Sequence, residues 1–289
     1  MEWIIVDDGT DKVGDLLQDI KEVKYYALDS KRSLGYKRNI CNSKAKGEII
    51  IYVDDDDYYP PERVSHAVTK LLEHPEYLIA GSSEMYVYFK EFEKMYTFGP
   101  YGRNHATAAT FAFRRELLEK TNFEDNKSVG EEKHFLLNRS LPVLQLDPRK
   151  TILVFSHIHN SYSKKDLLEN SEPQFYKETY VEVNDFISDP TIYNFFLNNI
   201  DELLSKYDPG NPKWKPDVLQ ECNAMIQKRN EIKSLREKQE QYNKLVANSS
   251  LQITDKASRE KYEKKINDLT LIISQLLEEN EILKKPNKN

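Results

Sequence analysis

The stretch EIIIYVDDDDYYPPERV, Glu48 to Val64, decides how the rest of the chain is read. An apolar run, Ile49 to Val53, ends in four consecutive aspartates, Asp54 to Asp57. The run reads as a buried strand, and Pro60 and Pro61 read as the first turn of the next helix, where proline is tolerated. Four carboxylates at the end of such a strand repel one another and resist leaving water. A bound cation offsets that cost; a solvated acidic loop is the alternative reading.

Working outward, the same pattern recurs. Trp3 to Val6 is a short apolar run that ends in Asp7, Asp8 and Gly9, again a strand followed by a turn. Val13, Leu16, Leu17 and Ile20 fall at helical spacing, and residues 23–28, VKYYAL, read as a second strand. A basic loop, SKRSLGYKRN, leads into a helix that ends near Ala45, with Gly47 as its stop. After the aspartates a helix follows with a core face of Val64, Ala67, Val68, Leu71 and Leu72. Strands that alternate with helices imply a mostly parallel sheet covered on both faces. Ligands of such sheets bind beyond the carboxyl ends of the strands. Asp7–Asp8 and Asp54–Asp57 both stand there, on one edge.

Residues 77–160 hold further short strands, in YLIAG, EMYVYF, KMYTFG, VLQL and TILVFSH, with short helices at Leu117–Leu118 and at Phe135 to Leu137. The composition turns polar and helical near Asp185, and DPGNPKWKP, residues 208–216, is a breaker-rich linker. Three regions are expected: an α/β domain over 1–185, a helical segment and linker over 186–216, and a helical, coiled-coil-like tail over 217–289. In the last helix Ile266, Ile273 and Asn280 fall at heptad a, and Leu269, Leu276 and Leu283 at d. That seam predicts a parallel homodimer through residues 259–284. An antiparallel hairpin with residues 217–247 of the same chain satisfies it equally.

Composition narrows the function classes. The 289 residues carry a net charge of −6, which argues against a nucleic-acid partner. The two cysteines, Cys41 and Cys222, lack metal-site spacing and read as free thiols of a reducing compartment. No apolar run reaches the length of a membrane span, and residues 1–20 are too acidic for a signal peptide. A soluble, cytoplasmic chain is expected.

Taken together, WIIVDDGT, then YKRNICNSKAKGEIIIYVDDDDYYPPERV, resemble family 2 glycosyltransferases of the GT-A fold. Farther on, HATAATFAFRRELLEKTNFEDNKSVGEEKHFL resembles that family's acceptor-side segment, so the likeness runs over about residues 2–170. It implies metal-dependent transfer of a sugar from a nucleotide-diphosphate-sugar, UDP-sugar favoured, to a hydroxyl of a carbohydrate or protein acceptor, with inversion. Breaking the sugar–phosphate bond builds charge on the leaving diphosphate, and Mn²⁺ or Mg²⁺ held by oxygen ligands neutralises it.

Residue by residue, the resemblance puts Asp8 at the base and Arg38 at the diphosphate, with Lys37 as a substitute. It puts Asp54 at the ribose or behind the metal and Asp56 on the metal. His157 is the candidate further metal ligand, ahead of His159. Of the acidic pair, Glu132 becomes the general base and Glu131 an acceptor contact, although the family's second acid is Asp, one methylene shorter. Asp57 is expected to bond backbone at the start of the following helix, and Asp55 to be solvated. An Asx-turn is the competing role for Asp8, and helix-end acids for Glu131 and Glu132.

The resemblance also implies one more strand and helix ahead of Trp3, so either the domain is amino-terminally shortened, with an open strand edge, or its start is misplaced. A non-catalytic, nucleotide-binding or scaffolding descendant is the second reading, and an acidic Ca²⁺ module the third.

Overall fold

The structure, a computed structural model, describes residues 1–160, 164–165, 168, 173–249 and 256–282. The chain divides into two compact units, Met1–Leu219 and Gln220–Asn289.

The first unit is built on three sheets. β1 (Trp3–Asp7) runs parallel to β2 (Val23–Ala27), with Trp3 opposite Val23 and Asp7 opposite Ala27. These two strands form a sheet of their own. The second sheet has the order β3-β7-β4-β8, made of Ile49–Ile51, Ala112–Arg114, Ile79–Gly81 and Leu144–Gln145. The third has the order β10-β6-β5-β9, made of Tyr176–Glu178, Lys94–Phe98, Met85–Phe89 and Leu153–Ser156.

This is the mixed α/β architecture, with flanking helices and a helical tail, that the sequence implies. The pairing is more antiparallel than the apolar runs suggest. β1–β2, β4–β8 and β5–β9 are parallel, whereas β7 is antiparallel to β3 and β4, and β6 to β5 and β10. The strand that changes the pattern is β7, three residues inside TFAFRR that the sequence reading passed over. It enters between β3 and β4 and runs against both.

β7 also shows how the second sheet is packed. Ala112 faces one side with Ala67, Leu71, Ala80 and Leu146, where small residues let the helix α3 (Arg63–Glu73) approach. Phe113 faces the other side, with Tyr52, Ile79, Phe111, Phe123 and Phe135. Phe123 and Phe135 stack there at 4.3 Å between centroids, and the Phe113 edge meets the Tyr52 ring at 5.5 Å.

Two helix expectations change. The inward face of α3 is Arg63, Ala67 and Leu71; Val64 and Leu72 are exposed. Arg63 takes the inward place because its guanidinium donates to the carbonyls of Tyr52 and Phe111, at 3.3 and 2.9 Å. The helix predicted from Val13 to Ile20 is a single turn, α1 (Gly14–Leu17), without a buried residue. The two-stranded sheet beside it offers too little apolar surface to hold a longer one, and Val13, Leu16 and Ile20 are exposed.

β1 and β3 share no ladder, and among the described residues each has one edge without a strand. Glu2 ties them instead. Its Oε1 accepts from the Lys46 and Gly47 amides at 2.6 and 3.0 Å, and its Oε2 from Lys24 Nζ at 2.7 Å.

After the sheets come α5 (Pro190–Asn194) and α6 (Ile200–Lys206) in the first unit, then two long helices, α7 (Pro216–Ser249) and α8 (Lys256–Ile282). In the second unit Gln239 Nε2 donates to Thr270 Oγ1 at 2.5 Å, and the Tyr242 and Tyr262 rings lie 6.3 Å apart. Later residues of α7 thus meet earlier ones of α8, as in an antiparallel hairpin. Leu269 and Ile273 of the heptad seam are buried, at 7% and 8% exposure, in this single chain. The side chain of Asn280, and Leu283 altogether, lie outside the described residues. Among the described residues no helix is long and apolar enough to cross a membrane.

Candidate active site

The site begins with α2 (Leu34–Lys44), capped by Ser33, whose hydroxyl accepts from the Tyr36 amide at 3.3 Å. One face of α2 is held against residues 123–128. The Gly35 amide donates to the Lys127 carbonyl at 2.8 Å, and a Cβ on Gly35 would come within 2.1 Å of the Glu124 carbonyl oxygen. Asn39 bonds both the amide and the carbonyl of Phe123, at 3.0 and 2.8 Å. This docking carries Arg38, one turn into the helix, to Glu131 at the start of α4 (Glu132–Phe135).

Arg38 is 8% exposed. Its guanidinium pairs with Glu131 Oε1, stands 3.7 Å from Asp54 Oδ1, and lies over the Tyr52 and Phe123 rings. Burial would lower its pKa, but Glu131 and Asp54 outweigh that and raise it. Burial pushes the Glu131 carboxyl up despite Arg38, with the neighbouring Glu132 adding to the rise. Glu132 is half-buried, and among the described residues no hydrogen bond or ion pair engages its carboxylate.

The four aspartates divide their charge. Burial, opposed by Arg38 and reinforced by Asp56 and Asp55, raises Asp54. Asp55 is exposed. Asp56 stays below the ordinary carboxylate range against burial, because the His157 hydrogen bond and the Lys164 charge favour its anion. Burial and then Asp56 push Asp57 up to about 8, so it holds a proton at neutral pH. Asp57 Oδ1 accepts from the Phe155 amide of β9 at 3.1 Å, not from the following helix. The run therefore carries less charge than its spelling.

Asp56 and His157 come together, with Oδ2 3.3 Å from Nε2. Asn160 completes the group, 3.3 Å from Asp56 Oδ2 and 2.8 Å from His157 Nε2. Both nitrogens of His157 face donors, since the His159 amide lies 3.2 Å from Nδ1. With Nδ1 accepting from that amide, the ring carries its proton on Nε2, beside the Asp56 carboxylate.

Among the described residues no three His, Cys, Asp or Glu side chains converge on one point as a metal cage. The donor set suits a cation that arrives on a diphosphate, which takes one or two protein ligands and leaves the rest to phosphate oxygens and water. Asp56 and His157 fit that pattern. Asp54 is turned to Arg38 and stands outside it.

Asp8 is placed by α2 as well. Its Oδ1 lies 3.0 Å from Lys37 Nζ, and its Oδ2 accepts from the Arg32 amide at 2.8 Å. Burial would raise its pKa, but these two partners keep it below the ordinary range. The Asx-turn belongs to Asp7, whose Oδ1 accepts from the Gly9 amide at 2.7 Å. Sequence reading missed Asn160 and Lys164 around this edge. Both follow the strand end that carries His157, a signal of position.

A cavity of about 400 Å³ adjoins His157 and Asn160 and is also lined by Lys90, Lys164 and Asp201. A larger one, about 600 Å³, lies beside Ala45, Glu48 and Arg115, at the opposite end of β3 from the aspartates.

Residues 1–122 match the family described as Glycosyl transferase family 2. It is similar to the solved structure described as the crystal structure of S. aureus TarS 1-349, at 18% identity with a TM-score of 0.38. The similarity covers 68% of this chain and 65% of that one, so the chain spans about 65% of its length. No curated protein matches the sequence.

Proposed function

We propose that this chain transfers a sugar from a nucleotide-diphosphate-sugar, UDP-sugar favoured, to a hydroxyl of a carbohydrate or protein acceptor, with inversion. The observation that carries the reading is α2, which engages Asp8 through Lys37 and sets the buried Arg38–Glu131 pair 3.7 Å from Asp54, two residues before the Asp56 that meets His157. Glu132, whose carboxylate has no hydrogen bond or ion pair among the described residues, is next to that pair. In this reading Asp8 and Lys37 meet the base, and Asp54 the ribose. Asp56 and His157 hold Mn²⁺ or Mg²⁺, which when bound neutralises charge on the leaving diphosphate. Glu132 takes the proton of the acceptor hydroxyl as its oxygen bonds the anomeric carbon. The bond from that carbon to the diphosphate oxygen breaks, and its electron pair leaves with the diphosphate. Arg38 and Glu131 act behind these groups: Arg38 aligns Asp54, and Glu131 keeps Arg38 in place.

Two free thiols among the described residues suit a cytoplasmic location. The tail is read as an intrachain hairpin, with the homodimer through 259–284 as the competing arrangement. One observation favours the non-catalytic reading, the separation of β1–β2 from the β3 sheet. Titration of the full chain with UDP in Mn²⁺ or Mg²⁺, beside release of UDP from a panel of UDP-sugars, tests both. Binding with turnover supports transfer; binding alone supports the second reading; neither refutes the nucleotide site.

A further inference from the structure

β9 is the outer strand of its sheet. β5 pairs with one of its edges, and the buried amides on the other edge need partners of their own. The acidic run supplies them. Leu153 exchanges two backbone bonds with Tyr58, its amide donating to the Tyr58 carbonyl at 2.8 Å and its carbonyl accepting from the Tyr58 amide at 3.0 Å. Two residues on, the Phe155 amide donates to Asp57 Oδ1 at 3.1 Å. Two residues farther, His157 Nε2 stands 3.3 Å from Asp56 Oδ2.

Tyr58, Asp57 and Asp56 thus face Leu153, Phe155 and His157 in antiparallel order. The first rung joins backbone to backbone, the second backbone to side chain, and the third side chain to side chain. Alternate residues of a strand present their amides to the same edge, which sets the step of two along β9. The bridge between the chains ends at Tyr58, and the Asp57 carboxyl takes the next outward amide.

The rungs differ in what they can hold. Phe155 is fully buried, stacked on Phe196 at 4.5 Å and edge-on to Tyr88 at 5.9 Å. Its amide without an acceptor would bear the whole loss of water. His157 is buried as well, but the Asp56 side chain is 45% exposed. Water screens a contact of that kind, and it holds a strand end only weakly. The end of β9 is therefore fixed by Asp57 and not by the Asp56–His157 contact itself.

We propose that Asp57 is a positioning residue for the candidate cation site: by holding the Phe155 amide, it sets His157 against Asp56. The inference rests on the nucleotide and cation reading above, and deepens it by separating the roles of two adjacent aspartates. Asp56 must be an anion to hold a hard cation. The Asp57 rung needs an acceptor oxygen and no charge, so an amide carbonyl serves it equally. The same substitution should therefore act in opposite ways at the two positions.

The test is isothermal titration of the full chain with UDP, in Mn²⁺ and again in EDTA. Asp57→Asn should retain most of the Mn²⁺-dependent affinity, whereas Asp56→Asn loses it. Asp57→Leu, similar in size but without an acceptor, should lower it about 10- to 100-fold, the scale for groups that orient a metal ligand, and leave the affinity in EDTA unchanged. A second readout needs no ligand. Hydrogen exchange of the Phe155 amide, followed by NMR, should stay slow in Asp57→Asn and quicken in Asp57→Leu. Wild-type affinity in Asp57→Leu overturns the inference and leaves the nucleotide site standing. So does a loss in Asp57→Asn equal to that in Asp56→Asn, since Asp57 would then act through its charge. Parallel loss in Mn²⁺ and in EDTA overturns it too, because a rung that only supports the fold would act on both. Should Asp57→Leu not fold, Asp57→Asn decides: retained affinity with a protected Phe155 amide supports the rung, and loss of either overturns it. A wild type whose UDP binding is absent or indifferent to Mn²⁺ removes the cation reading, and the inference with it.

Discussion

Replacing Arg38 with Met tests the centre of the site without any ligand. The substitution keeps the length of the side chain over Tyr52 and Phe123 but removes the charge between Glu131 and Asp54. Unit charges about 4 Å apart at an effective dielectric of ~20 interact by about 4 kcal/mol. Breaking one partner from a buried ion pair costs about 3–5 kcal/mol, because the other charge is left buried alone. A loss of about 3–5 kcal/mol is therefore expected at pH 8, read as a lower midpoint of urea unfolding. The penalty should shrink in acid. Without Arg38, burial raises the Glu131 carboxyl further, and a carboxyl raised by folding stabilises the fold below its unfolded pKa and loses that contribution as pH climbs through the folded one. The mutant should thus be closer to wild type at pH 5 than at pH 8. Adding Glu131→Gln to the mutant should recover a large part of the loss, a coupling that a double-mutant cycle reads directly. A single-mutant cost below about 1 kcal/mol, with no pH dependence, would refute the argument that Arg38 is held by buried carboxylates.

Four further outcomes are expected. Asp56→Asn should abolish Mn²⁺-dependent UDP binding while circular dichroism and the unfolding midpoint stay near wild type; unchanged affinity would remove Asp56 from the metal. Glu132→Gln should leave UDP affinity intact and lower turnover by roughly 100-fold or more, and a parallel loss of both would make it a structural acid. Burial, with Arg139 adding, lowers His105 to about 4, so its neutral ring stabilises the fold above about pH 6.5 and this contribution is lost as pH falls toward 4. His105→Phe should lessen the fall in stability over that window, and an unchanged acid profile would count against it. The full chain should sediment as a monomer at high concentration, because Leu269 and Ile273 are already covered in one chain; a dimer would restore the parallel seam.

How far the residues speak for themselves differs along the chain. Local pattern sufficed for β1, β2 and β3 as strands, since an apolar run closed by Asp or Gly has few other ways to fold, but not for their burial: none of their residues is fully buried. It placed Asp8, Asp54 and Asp56 after strands, but β1 and β3 lie in separate sheets, and it is α2 that reaches both turns, with Lys37 on Asp8 and Arg38 near Asp54. Pattern failed where the deciding partner is remote. β7 is a strand because β3 and β4 flank it, and the inward face of α3 shifts to Arg63 because two carbonyls wait for its guanidinium. Charge is the clearest case. Four adjacent aspartates look alike in sequence, yet burial and the charge of Asp56 leave Asp57 proton-bearing, His157 and Lys164 keep Asp56 ionised, and Arg38 faces Asp54. A protonation state is set by burial and by neighbours within a few ångströms. Those neighbours are chosen by the tertiary fold.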